Sequence, residues 1–279
     1  MTHTTLAAAI QMASGPDVGT NLEDAGRLLA QAAEQGATLA VLPENFALQG
    51  MADADRVRHG EPDGEGPLQS FLADRARKLG LWIVGGTIPL TCGQPNRVYA
   101  SCLVYDDQGR RVARYDKIHL FDVHLPERDE TYRESAATRP GGDLAVLDSP
   151  VGRLGLAVCY DLRFPEMFRA MLDQGMETLA LPSAFTAVTG QAHWEILVRA
   201  RAVENVCFVI AAAQGGRHVN GRQTHGESMI VDPWGTVLGR LEKGPGLVVA
   251  EVDSGRVTEL RHRFPALRHR RFAGRMAED

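Results

Sequence analysis

Residues 154–158, LGLAV, form an apolar run without a polar alternate, and the run breaks at Cys159 into YDLRF and then Pro165. A strand with one wet face alternates, so a run apolar throughout belongs to a sheet covered on both faces. Pro165 suits the first turn of a helix, where its missing N–H costs nothing, which makes residues 160–164 the elbow between strand and helix. Cys159 is thereby expected at a strand's C-terminal end, where amide donors can stabilise a thiolate or an oxyanion. A buried cysteine after an apolar run is equally a common small core residue, so the rest of the chain has to decide between the two.

The same pattern recurs along the chain. Residues 6–12, 38–42, 81–88, 178–181 and 207–213 read as buried strands. Residues 21–35, 67–79, 166–173 and 194–205 carry apolar positions at helical spacing, and Gly36 and Gly80 stand after the first two as stops. Residues 98–105 and 110–115 flank the turn DDQG, and residues 227–231, 236–241 and 247–252 give the last third an antiparallel portion, with Ser254 expected to cap a final helix. Residues 121–142 are long, polar and without period, which predicts a loop bordering a site. Strand-helix pairs mixed with hairpins imply an α/β chain whose sheets are covered on both faces, and residues 1–279 show no linker or repeat.

Composition excludes several classes. A net charge of -5 argues against nucleic acid as the main partner, and no run approaches a membrane span. Arg261, Arg263, Arg268, Arg270 and Arg271 near the end read as a solvated helix face or a subunit contact. The N-terminal residues lack the positive region of a signal peptide. Cys92, Cys102, Cys159 and Cys207 form no close pair, so neither a disulfide framework nor a Cys-x-x-Cys zinc site is expected, and a reducing cytoplasm fits.

A cysteine nucleophile needs a group that moves protons. The chain has nine histidines but no local protease signature, and His119 reads either as a support or as a structural hydrogen-bonding group. Glu44 and Lys117 form the alternative set, each at an abrupt exit from a predicted strand. A carboxylate beside a lysine can act as general base while the ammonium holds thiolate and oxyanion.

LPENF (residues 42–46), YDKIHLFD (residues 115–122) and CYDLRFPE (residues 159–166) resemble the three signature blocks of the nitrilase superfamily of carbon-nitrogen hydrolases, in that family's order. The resemblance implies a four-layer αββα sandwich that dimerises, and an enzyme without metal or organic cofactor. It assigns Cys159 as nucleophile, Glu44 as general base and acid, Lys117 as the lysine of the transition state, and the Tyr160 N–H as oxyanion donor. A second glutamate falls on Glu134, with Glu127 or Glu130 as alternatives.

LPSAF, HWEILVRARAVEN, AAAQGGRH and IVDPWGTV are similar to the superfamily's Nit branch, which implies hydrolysis of a small carboxylate-bearing amide through a thioester, with release of ammonia. A catalytically silent binding protein of the same fold is the alternative from another class. Arg163, Arg217 and His218 are the candidate carboxylate partners, Arg163 being equally a structural pair for Asp161 or Glu166. Related sequences carry Gly-His-Ser where this chain has Gly226-Glu227-Ser228, which places an extra carboxylate near the expected pocket.

Overall fold

A computed structural model describes residues 4–125 and 130–272. Strands β1 (Thr4–Gln11), β2 (Leu39–Val41), β3 (Trp82–Val84), β4 (Ile88–Thr91), β5 (Val98–Tyr105) and β6 (Arg111–Asp116) build a first sheet, interleaved with helices α1 (Val18–Glu34), α2 (Ala54–Arg58) and α3 (Pro67–Leu79). A hairpin, β7 (Asp122–Leu125) and β8 (Glu130–Arg133), follows. The second sheet takes β9 (Val146–Ser149), β10 (Gly152–Leu156), β11 (Thr178–Ser183) and β12 (Phe208–Ala213), connected by α4 (Pro165–Asp173) and α5 (Ala187–Asn205). After a second hairpin, β13 (Gly215–Arg217) and β14 (Gln223–His225), strands β15 (Met229–Val231) and β16 (Val237–Arg240) complete that sheet. Finally β17 (Gly246–Asp253) returns to the first sheet beside β1, and α6 (Ser254–Arg263) follows.

The two sheets are built alike. Each has three parallel strands at its centre, β1, β2 and β3 in one and β10, β11 and β12 in the other, with antiparallel neighbours outside. Parallel neighbours need crossovers, which α1 and α3 supply to the first sheet and α4 and α5 to the second. Along β1, Ala7 and Ala9 join the core shared with the second sheet, whereas Ala8 and Ile10 pack with Leu28 and Leu29 of α1 and Leu72 of α3. Phe168 and Met171 of α4 and Trp194 and Val198 of α5 close the other side. The layers are therefore helices, sheet, sheet and helices, the four-layer αββα arrangement expected, and the double coverage explains the unbroken apolar strands. Each fully buried leucine here contributes roughly 1.5–3 kcal/mol.

Four expectations need correction. Residues 81–88 are not one strand: β3 stops at Val84, because Gly86 turns with φ 54 and a Cβ there would stand 2.1 Å from the Pro43 carbonyl oxygen. The long polar segment is not merely a loop, since it holds the hairpin β7–β8 and a short 3-10 turn at Glu134–Ala136. Helix α5 begins at Ala187, where the Thr189 N–H donates to the Thr186 hydroxyl at 3.3 Å, well before the apolar periodicity becomes visible. Asp253, not Ser254, caps α6, accepting from the Gly255 N–H at 2.8 Å.

Candidate active site

Three chain exits meet at one place. Glu44 follows β2, Lys117 follows β6 and Cys159 follows Val158 just beyond β10, so each is fixed by a strand on one side and a turn on the other. Asn45 (φ 57) and Cys159 (φ 48) both hold left-handed backbone, which a non-glycine residue adopts at a cost of order 1–3 kcal/mol. The Asn45 N–H donates to Thr87 Oγ1 at 2.9 Å, and Gln214 Nε2 donates to the Glu44 carbonyl oxygen at 3.1 Å, which pins the turn that presents Glu44.

The elbow after Val158 is organised by Asp161, which is fully buried. Its carboxylate accepts from the Val158 N–H at 2.8 Å, the Tyr115 hydroxyl at 2.6 Å and the His119 N–H at 3.1 Å. His119 Nδ1 lies 2.7 Å from the same carboxylate, which can only accept, so that nitrogen carries the proton. The imidazole stacks on Phe164 with centroids 3.7 Å apart. His119 is therefore a support for the elbow.

Lys117 Nζ donates to Glu44 Oε1 at 2.8 Å and to both oxygens of Glu134, at 2.8 and 3.0 Å. Its side chain is 2% exposed, so water screens these pairs little. Burial alone would lower its pKa, but the carboxylates of Glu134 and Glu44 outweigh it and hold the ammonium charged. Burial likewise opposes ionisation of Glu134, and Lys117 together with Arg56, 3.7 Å away, keeps its carboxyl below the usual range. Glu134 also accepts the Phe121 N–H at 2.7 Å.

Cys159 Sγ accepts from the Ala184 N–H at 3.5 Å. Burial pushes the thiol well above its ordinary pKa, and the Glu44 charge pushes it further against the opposing pull of Lys117. The resting group is a thiol beside a carboxylate that can take its proton, rather than a preformed thiolate.

The four side chains open on a cavity of about 780 Å³, its mouth included, walled also by Phe121, Tyr132, Tyr160 and Phe185. Arg163 enters it with its guanidinium 5.3 Å from the Phe185 centroid and 5.9 Å from that of Tyr160, and it contacts His193 Nδ1 at 3.3 Å rather than Asp161 or Glu166.

The other two carboxylate candidates lie elsewhere. Arg217 is exposed on β13 and does not line the cavity. His218 is buried between Ser14, whose carbonyl accepts from Nδ1 at 2.8 Å, and the Thr224 hydroxyl, 2.7 Å from Nε2, and burial lowers its pKa, so it is a neutral structural group. Glu227 also stands outside the lining, facing His225 at 3.6 Å and Arg240 at 3.5 Å. Of the alternatives to Glu134, Glu130 accepts instead from the Tyr132 hydroxyl at 2.7 Å, and Glu127 lies outside the described residues.

Arg56, Arg133 and Arg222 line the cavity without having been singled out from the sequence. Among the described residues no cluster of three or more His, Cys, Asp or Glu side chains is placed to hold a metal ion, and no helix is long and apolar enough to cross a membrane.

Residues 6–262 match the carbon-nitrogen hydrolase family. A deaminated glutathione amidase from Yersinia enterocolitica is 43% identical over 266 residues, covering 95% of this chain and 92% of that one. The crystal structure of the C. elegans NitFhit protein superposes with a TM-score of 0.88 at 36% identity, covering 96% of this chain and 65% of that chain, so this chain spans about two thirds of the fusion protein's length. An amidase variant from Nesterenkonia sp. AN1, showing Michael addition of acrylamide at its active-site cysteine, superposes with a TM-score of 0.77 at 30% identity, covering 94% and 99% of the two chains.

Proposed function

This chain belongs to the carbon-nitrogen hydrolase family, and we propose that it hydrolyses the amide of deaminated glutathione through a thioester on Cys159. The observation that carries this reading is the single Lys117 ammonium held between Glu44 and Glu134 on a cavity it shares with the Cys159 thiol. The identity to deaminated glutathione amidases over nearly the whole chain selects the substrate.

Glu44 takes the Cys159 proton as sulfur adds to the amide carbon. The oxyanion is stabilised by Lys117 and by the Tyr160 N–H. The tetrahedral adduct collapses as Glu44 returns that proton to the departing nitrogen, leaving the thioester. Glu44 then removes a proton from water, the water oxygen adds to the thioester carbon, and the C–S bond breaks as the proton passes to sulfur. Glu134 positions Lys117 throughout and exchanges no proton.

Deaminated glutathione joins a 2-oxo diacid to cysteinylglycine through this amide, so the leaving group is the dipeptide amine rather than the ammonia expected from the sequence. Arg163, on the same elbow as the nucleophile, binds the carboxylate of the acyl part. The competing reading is a primary ω-amide such as 2-oxoglutaramate, which has the same acyl group and releases ammonia.

The chain acts as one catalytic domain and works as a homodimer. Support for the dimer comes from exposed Ile196 and Val203 on α5 with exposed Trp234 and Phe264, whose rings lie 5.8 Å apart. Four free cysteines support a cytoplasmic setting.

Mass spectrometry of a reaction with deaminated glutathione tests the function: cysteinylglycine and the 2-oxo diacid accumulate, and quenched enzyme carries the acyl group on Cys159. Full activity in Cys159→Ala would sink the assignment.

A further inference from the structure

Arg222 reaches the cavity from β14's side of the second hairpin, far in sequence from the catalytic elbow. Its guanidinium lies 5.2 Å from the Tyr132 ring centroid, and among the described residues its ion pairing is one long contact, 3.9 Å to Asp53 Oδ1, between side chains 37% and 42% exposed. Of the other arginines lining the cavity, Arg56 faces Glu134, Arg163 stacks beside the nucleophile, and Arg133 is exposed at the end of β8. An arginine laid on an aromatic ring with one distant counter-ion keeps its planar donors free for a bidentate carboxylate.

The wall that Arg222 joins continues from Glu44. Gln49 and Asp53 follow Glu44 in the chain and line the same cavity, and Asn220 Nδ2 donates to the Gly50 carbonyl oxygen at 2.7 Å, tying the hairpin to that segment. Gln49, only 5% exposed, keeps a buried amide oxygen without a hydrogen-bond partner among the described residues, so this wall is polar and incompletely satisfied. Glu44 hands a proton to the departing nitrogen, so the wall beyond it faces the leaving group, whereas Arg163 shares the acyl side with Cys159.

We infer that Arg222 determines specificity for the leaving group, exchanging Asp53 for a carboxylate at the far end of the departing amine. The inference rests on the function proposed above and adds to it: the cavity reads both ends of its substrate, with one arginine for the acyl carboxylate and another for the leaving-group carboxylate.

The test compares two substrates with one acyl group, deaminated glutathione and 2-oxoglutaramate. Arg222→Gln lowers kcat/KM on deaminated glutathione by about 10- to 100-fold, the size of a lost charge-assisted pair, and at least several times further than on 2-oxoglutaramate. Added cysteinylglycine inhibits the wild type more strongly than this variant. Arg163→Gln lowers both substrates alike. Equal losses on the two substrates for Arg222→Gln, or no loss on either, would overturn the inference while leaving the functional reading standing; melting temperatures identify a variant that merely unfolds. Wild-type enzyme active on 2-oxoglutaramate but inert toward deaminated glutathione would overturn both.

Discussion

The hydroxyl of Tyr115 donates to Asp161 Oδ2 at 2.6 Å, a bond that joins the strand preceding Lys117 to the elbow presenting Cys159. Tyr115 lies on β6 of the first sheet and Asp161 in the turn that follows β10 of the second, so this contact ties the segment carrying the ammonium to the one carrying the thiol. Tyr115→Phe removes one donor from a fully buried carboxylate, which costs about 1–3 kcal/mol. Urea unfolding should show that loss, and kcat should fall with little change in KM because substrate contacts remain. An unchanged kcat would show that the bond does not register the two sheets.

Lys117 is the only cation within hydrogen-bonding distance of both Glu44 and Glu134 among the described residues. Lys117→Met leaves two buried carboxylates without it, which destabilises by roughly 3–5 kcal/mol. Glu134→Gln keeps the shape, and its expected effect is a fall in kcat of about tenfold or more through loss of a charge-assisted bond. Stopped-flow measurement of acylation separates the two, since Glu134→Gln should still form the thioester, slowly.

Stability should decline in alkali. Burial first, with smaller charge effects, raises the Cys207 thiol from 9.0 to about 12, and Cys159 and Cys102 are raised as well. Such a thiol ionises first in the unfolded chain, so its contribution is complete below pH 9 and is lost as pH climbs towards 12, at about 1.4 kcal/mol per pH unit for each group. Cys207→Val should flatten the decline measured by urea unfolding between pH 8 and 11. Identical slopes for the two proteins would refute the linkage.

Arg217 and His218 should behave unlike ligands. Arg217→Ala, at an exposed position outside the cavity, is expected to leave kcat/KM within about twofold and stability within ±0.5 kcal/mol. His218→Ala removes bonds to Ser14 and Thr224 and should lower stability by about 1–3 kcal/mol. A large selective rise in KM for Arg217→Ala would return it to the site.

Gly86 is a backbone requirement of the turn that presents Glu44. Any side chain there meets the Pro43 carbonyl at 2.1 Å, one residue before Glu44, and adopts φ 54 besides. Gly86→Ala should lower both melting temperature and kcat, and a crystal structure should show Glu44 displaced from Lys117.

Where a residue's position follows from local sequence, the sequence sufficed. Glu44, Lys117 and Cys159 each sit where an apolar strand breaks, and the break is visible in LPENF, YDKIH and CYDLRFPE. Glu134 needed the resemblance, because its place depends on how residues 121–142 fold back, and the alternation of Val123 and Leu125 in the hairpin there is only two residues long. The start of α5 was hidden for a related reason: Gly190 breaks the helical pattern, and it is there because a Cβ would collide with His225 at 2.2 Å. Arg222 was invisible, since it lies in the turn just before a short polar strand and acquires meaning only when that hairpin meets the cavity.

The proposed reactive set is drawn from positions 44, 117, 134 and 159, carried by both sheets and the hairpin between them. On the ribosome, a chain that has not yet joined its sheets holds a scattered thiol with neither base nor counter-ion. Under the proposed mechanism the thiol, although it ionises more readily in the unfolded chain, gains its base and counter-ion only in the finished tertiary assembly, so base-assisted attack on an amide belongs to the folded chain alone.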